Sequence, residues 1–289
     1  MGHHTSIFVS TACLTYIEPL KERIRRYLDH GLTAIELGAG VTMDDETLAF
    51  ISTMNVRTII HNYFPPPKKP FVLNLASGNE EIRSRSLEMV FRALDLTREI
   101  GAPFYSLHAG FITDPTSFDK TSFIFPMPKS PIGVTQANER FVLMMATVLE
   151  YAKTLGVGLL IENNVCSPTQ VGKLLLLKVE EFYNIFQALP MPELGILLDT
   201  GHLNITAHTL GFDRETFVDQ VAPYIRGFHL HDNDGTEDSH LSVDSGSWTL
   251  NILRRPEFIN LPIVVEAKFA RVTDLHRHVD WLEEQLGNE

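Results

Sequence analysis

Residues 195–202 read Gly-Ile-Leu-Leu-Asp-Thr-Gly-His, a short apolar run that stops on a carboxylate and then turns polar. Such a run fits a strand buried on both faces, because a half-exposed strand would alternate apolar with polar residues. The same shape recurs along the whole chain, at 6–10, 34–37, 56–61, 104–108, 158–162, 195–199, 225–231 and 262–266.

Helix-period stretches lie between most of these runs, including 16–30, 80–100, 137–155, 178–189 and 214–222. Leu87, Phe91 and Leu94, and likewise Met145, Leu149 and Ala152, recur at three or four residues and form stripes that would face a sheet. Eight parallel-type strands alternating with helices predict a closed α/β barrel, a single (β/α)8 TIM barrel domain over residues 1–289. An open doubly wound sheet would need a glycine turn for phosphate after the first strand, and Thr11-Ala12-Cys13 supplies none. The segment after the seventh strand offers only 248–254 as a helix. The long stretches 63–79 and 111–135 fall on the strand-exit side, where such loops shape a substrate pocket.

Composition narrows the function classes. Hydrophobic residues make up 44% and charged residues 21%, as in an ordinary globular enzyme. No apolar run approaches the roughly 20 residues of a membrane span, and the first residues lack the basic stretch and apolar block of a secretory signal. Two cysteines, Cys13 and Cys166, give no disulfide framework, so a reducing, cytoplasmic setting is expected. A net charge of −12 disfavours non-specific attraction to nucleic acid or to anionic lipid.

The chemistry is announced at the strand ends. His61, His108, Glu162, Asp199, His229 and Glu266 each stand where an apolar run stops, from the third predicted strand to the eighth. Parallel strands in a barrel end on one face, so six dispersed residues become one cluster. Crowded carboxylates repel one another unless a cation neutralises them, which predicts a bound divalent metal. Mixed oxygen and imidazole ligation suits Mn, Mg, Co, Zn or Fe and does not select among them, and one ion per chain is expected. His202, three residues past Asp199, and Asp238 with His240 are further candidates. His231 shares the face of His229 and competes with it as a ligand; otherwise it would contact substrate. Lys268, two residues past Glu266, is placed to meet an oxyanion or a hydroxyl of the substrate.

The strings IENN at 161–164, LLDTGH at 197–202, HLHDNDGTEDSHL at 229–241 and VVEAKF at 264–269 resemble the xylose isomerase-like barrel superfamily, in particular its sugar phosphate isomerase/epimerase branch. The resemblance implies a metal held by Glu162, Asp199, His229 and Glu266, with the two glutamates as catalytic acid and base and His202 as a substrate contact. It implies proton transfer next to a carbonyl through a metal-stabilised enediolate, on a sugar, a sugar phosphate or a related polyhydroxylated compound. Oligomers are common in the superfamily, so a homo-oligomer is a further expectation.

Endonuclease IV-type phosphodiesterases share the superfamily, and their nine-ligand trinuclear zinc pattern is matched here by His61, His108, Glu162, Asp199, His202, His229, Asp238, His240 and Glu266. The wording at 108–110, 163–164 and 266–268 departs from the nucleases toward the sugar branch. At 243–247, Val-Asp-Ser-Gly-Ser replaces the glycine-rich stretch usual in that branch.

Overall fold

The computed structural model describes residues 6–44, 46–54, 56–108, 110–118 and 123–287. Eight strands form the barrel: β1 (Ile7–Ser10), β2 (Ala34–Leu37), β3 (Arg57–His61), β4 (Phe104–His108), β5 (Gly158–Glu162), β6 (Leu194–Asp199), β7 (Ile225–Leu230) and β8 (Ile263–Val265). Each pairs with its sequence neighbour, all in parallel, and β8 closes onto β1 with Val9 beside Val265. The expected strands are all present. The seventh and eighth end at Leu230 and Val265, leaving His231 and Glu266 just beyond.

Nine helices are described around them: α1 (Leu20–Leu28), α2 (Thr47–Thr53), α3 (Glu80–Glu99), α4 (Pro131–Leu155), α5 (Val179–Ala188), α6 (Thr200–Leu210), α7 (Arg214–Val221), α8 (Trp248–Leu253) and α9 (Val272–Gly287). α1 starts later than its periodicity suggests because Glu18 and Pro19 pair with Val41 and Thr42 before the helix begins. α4 starts earlier, at Pro131, where the Ser130 hydroxyl caps it by accepting from the Gly133 N–H. Met145, Leu149 and Ala152 of its inner stripe are fully buried. None of the described helices is long and apolar enough to cross a membrane.

The alternation of side chains along a strand explains how the barrel is filled. Phe8, Ala34, Ile59, Phe104, Leu160, Leu197 and Val264, one from each strand except β7, form an apolar cluster of their own. β7 contributes Gly227, where a Cβ would lie 3.2 Å from Leu197 Cδ1. Two residues further along the same strands stand Ser10, Glu36, His61, Ser106, Glu162, Asp199, His229 and Glu266. A dry apolar plug thus carries a polar layer at the C-terminal mouth.

Candidate metal centre

In the polar layer the ligand-type residues meet. β6 and β7 slip by one residue around Arg226, which brings Asp199 level with His229. Nδ1 of His229 then lies 3.6 Å from Glu162 Oε1, 3.8 Å from Asp199 Oδ2 and 3.5 Å from Glu266 Oε2. These are longer than hydrogen bonds, and Nδ1 has no hydrogen-bond partner. Two ligands each about 2.1 Å from one ion lie roughly 3–3.5 Å apart, so the spacing is close to that of neighbours in a coordination shell.

Glu162 sits at the middle of the cluster, fully buried, with neither oxygen hydrogen-bonded. Its Oε2 faces His61 Nε2 at 3.5 Å and His108 Nδ1 at 3.7 Å; its Oε1 faces His202 Nδ1 at 3.1 Å and His229. One carboxylate therefore looks toward two sets of imidazoles. Such a group costs several kcal/mol to bury unless positive charge meets it. Among the described residues, His61, His108 and Glu162 form one triad of atoms within 4.8 Å of one another, and Glu162, Asp199 and His229 form another. The orphaned oxygens and the mixed nitrogen and oxygen donors fit divalent metal.

A further group lies beside these two. His231 Nε2 approaches Asp199 Oδ1 at 3.1 Å and Asp238 Oδ1 at 3.8 Å, and its ring stacks on His240 with centroids 4.0 Å apart. Asp238 Oδ2 is 3.4 Å from His240 Nε2 and 3.6 Å from His202 Nε2. His229 and His231 are thus both in the cluster, in different groups. His231 is fully buried and faces carboxylates.

Burial alone would raise the carboxylate pKa values, but here the neighbouring imidazoles outweigh it. His108 and His229 hold Glu162 well below the usual range, and His202 and His231 hold Asp199 low. His229, His240 and His61 do the same for Glu266. In return, and against burial, Asp199 and Asp238 raise His202, while Glu36, Glu266 and Glu162 raise His229. The carboxylates and the imidazoles of His202, His229 and His231 thus favour one another's charged forms, and a divalent ion ligated by neutral imidazoles would supply that positive charge in their place.

The motif residues around the ligands have local reasons. In Ile161-Glu162-Asn163-Asn164, Asn163 clamps the backbone of Asp199, and Asn164 donates to Gly110 O and Leu175 O, tying β5 to two loops. In Asp199-Thr200-Gly201-His202, the Asp199 side chain caps α6 by accepting from the His202 N–H at 2.7 Å. Gly201 is required because a Cβ there would lie 2.0 Å from His231 Cε1.

Above the cluster is a cavity of about 340 Å³. His61, His108, His202, Asp238, His240 and Glu266 reach it, as does Lys268, whose exposed Nζ donates to Ala12 O at 2.9 Å. Glu162, Asp199, His229 and His231 lie beneath its lining. The long loops add Tyr63, Leu73, Phe111 and Phe123 to the wall, and the segment after β5 adds Val165 and Leu174. Asn74 links these loops by accepting from the Phe111 N–H and donating to Asp114, and Gly110, at φ +115°, leaves room for its Oδ1.

Sequence reasoning passed over Ser10, Glu36 and Asn163. Ser10 Oγ lies 3.4 Å from Glu266 Oε1, and Glu36 Oε2 is 2.8 Å from His229 Nε2. The available signal for Glu36 was a carboxylate inside the apolar run Ala34-Ile35-Glu36-Leu37.

A closed eight-stranded parallel barrel with imidazoles and carboxylates at one mouth matches a known family profile, the xylose isomerase-like TIM barrel, over residues 24–285. The chain belongs to that family. Within the xylose isomerase-like family it is similar to proteins of different activity. A probable endonuclease 4 of Mesomycoplasma hyopneumoniae is 26% identical over 213 residues, 69% of this chain and 68% of the relative. The fructoselysine 3-epimerase of Escherichia coli O157:H7 is 24% identical over 202 residues, 66% of this chain and 61% of that one. A D-tagatose 3-epimerase-like protein of known structure superposes with a TM-score of 0.74 at 19% identity, covering 98% of this chain and 97% of its own.

Proposed function

We propose that this chain is a divalent-metal-dependent isomerase or epimerase acting on a small sugar-like or sugar phosphate carbonyl compound. The observation that carries this reading is the set Glu162, Asp199 and Glu266 around the unpartnered Nδ1 of His229, directly beneath a small pocket. Those four residues would hold the ion, which when bound polarises a substrate oxygen and offsets charge developing on it.

Of the two glutamates expected as acid and base, Glu266 reaches the pocket, so it is assigned the proton on the carbon beside the carbonyl. Glu162 lies deeper among imidazoles and is assigned to ligation. The lining imidazoles of His108, His202 and His240 stand around the same space to return a proton, and Lys268 is placed at the wall to meet a hydroxyl or an oxyanion. The fructoselysine 3-epimerase similarity supports a ketose-type substrate.

The test is deuterium incorporation from D2O beside the carbonyl in a panel of ketoses and ketose phosphates, with metal-loaded protein. Exchange that disappears in Glu266→Gln, with the fold unchanged, supports the assignment; near-normal exchange in that variant refutes it.

Phosphoester hydrolysis is a second reading, favoured by His61, His108 and Glu162 on one side and His231, Asp238 and His240 on the other, which extend the centre beyond four ligands. For a nucleic-acid substrate the surroundings argue against it. Among the described residues Lys268 is the one lysine or arginine in the lining, while Arg254 bonds Gln285 and Arg255 pairs with Asp219 on the outer helices. Cleavage of an abasic-site duplex by the zinc-loaded protein, without exchange into any ketose, would establish this reading instead.

A further inference from the structure

β2 contributes one charged side chain to the barrel interior, Glu36, level with Ser10 of β1. Both Glu36 and His229 are closed off from solvent, and Glu36 Oε2 lies 2.8 Å from His229 Nε2. Oε1 of Glu36 has no hydrogen-bond partner. The other ring nitrogen of His229, Nδ1, faces Glu162, Asp199 and Glu266 at 3.5–3.8 Å and is likewise unpartnered.

An imidazole that ligates through one nitrogen must carry its proton on the other, and whatever accepts that proton decides which nitrogen is free. Glu36 is placed to accept from Nε2–H. A second arrangement competes with this one, because Glu36, His61 and His229 also offer three donor atoms within 4.8 Å of one another. In that arrangement Nε2 would be the ligating atom and Glu36 a ligand. The 2.8 Å contact and the convergence of three carboxylates on Nδ1 favour the first.

We propose that Glu36 is a positioning residue of the metal centre, holding His229 so that Nε2–H is donated to its carboxylate and Nδ1 is presented to the ion. The proposal rests on the metal-centre reading given under Proposed function. Among the described residues nothing else in the layer offers Nε2 an equivalent partner: the His61 ring meets the His229 ring edge-on at 4.7 Å, and its own Nδ1 is engaged with Ser106 Oγ at 3.0 Å.

Zinc is the probe. Affinity is measured by competition with a fluorescent chelator on wild type, Glu36→Gln and Glu36→Leu, and the protonated nitrogen of His229 is read from long-range proton–nitrogen correlation spectra of the zinc-loaded wild type. Glu36→Gln, which keeps shape and a neutral acceptor, is expected to weaken the tightest site about tenfold, and Glu36→Leu about 100-fold. The spectra are expected to show a proton on Nε2 and zinc on Nδ1.

A merely structural role would lower the melting temperature of the metal-free variants and leave zinc affinity per folded chain unchanged, which would overturn the proposal. Zinc on Nε2 would overturn it as well. If Glu36→Leu does not fold, Glu36→Gln and the wild-type spectra decide. A wild type that binds no zinc, manganese or cobalt removes the metal-centre reading itself, and is distinguished from failure of this proposal by appearing before any substitution is made.

Discussion

Asn163 grips the peptide of Asp199 from both sides, its Oδ1 accepting from the Asp199 N–H at 2.8 Å and its Nδ2 donating to the Asp199 carbonyl at 3.0 Å. The pair locks the ends of β5 and β6 together just where two ligand carboxylates emerge. Asn163→Ala would leave a buried donor and a buried acceptor without partners, each worth roughly 1–3 kcal/mol. A loss of about 3 kcal/mol in urea unfolding is expected, together with weaker zinc binding. A change within 0.5 kcal/mol would mean that the clamp is replaced by other contacts.

Gly201→Ala separates a packing requirement from helix propensity. Alanine is favoured over glycine within a helix by about 1 kcal/mol, yet here its Cβ would collide with the His231 ring. The expected result is destabilisation and loss of the metal-binding capacity of the group His231, Asp238 and His240. A stabilised variant with unchanged zinc stoichiometry would show that His231 moves aside freely.

Metal removal should be legible as stability. A ligand that binds only the folded chain adds about 2.7 kcal/mol per site at 100 times its Kd, so stripping with a chelator is expected to lower the calorimetric Tm. In Glu162→Gln most of that difference should vanish, because Glu162 faces both His61 with His108 and His229 with His202. An equal Tm with and without chelator in the wild type would count against a resident ion.

Away from the site, α9 carries a pH-sensitive contact. His278 packs against Trp281 and Phe269, and burial carries its pKa from 6.5 down to about 4. Its depressed folded value means the unfolded chain takes up the proton first. The contribution is therefore intact above pH 6.5 and is lost as pH falls toward 4, up to about 3 kcal/mol. His278→Phe should flatten that part of the stability–pH curve; an unchanged slope between pH 6.5 and 4 would assign it to other groups.

How far the sequence foretold this arrangement depended on where each residue lay. The barrel and the meeting of six side chains at its mouth were readable because β3 to β8 each change from apolar to ligand-type as they reach the mouth. Glu36 was hidden because β2 runs one residue further, so its carboxylate lies inside the apolar run. α6 was hidden because it is buried over most of its surface, through Thr200, Gly201, His202 and Thr206 as well as Leu203 and Ile205, and so shows no apolar stripe. The aromatic wall of the pocket comes from loops, where no period relates Tyr63 to Phe111 or Phe123. Which of His229 and His231 ligates had no answer in alternation, because both face the same side and both approach Asp199, His229 with Glu266 beside it and His231 with Asp238.

The measurement that tests the central claim most directly is elemental analysis of metal per chain after equilibration with zinc or manganese and gel filtration. At least one tightly held divalent ion per chain is expected, falling in Glu162→Gln. A wild-type chain that emerges metal-free from excess of both ions would contradict the claim that this layer of imidazoles and carboxylates is a metal centre.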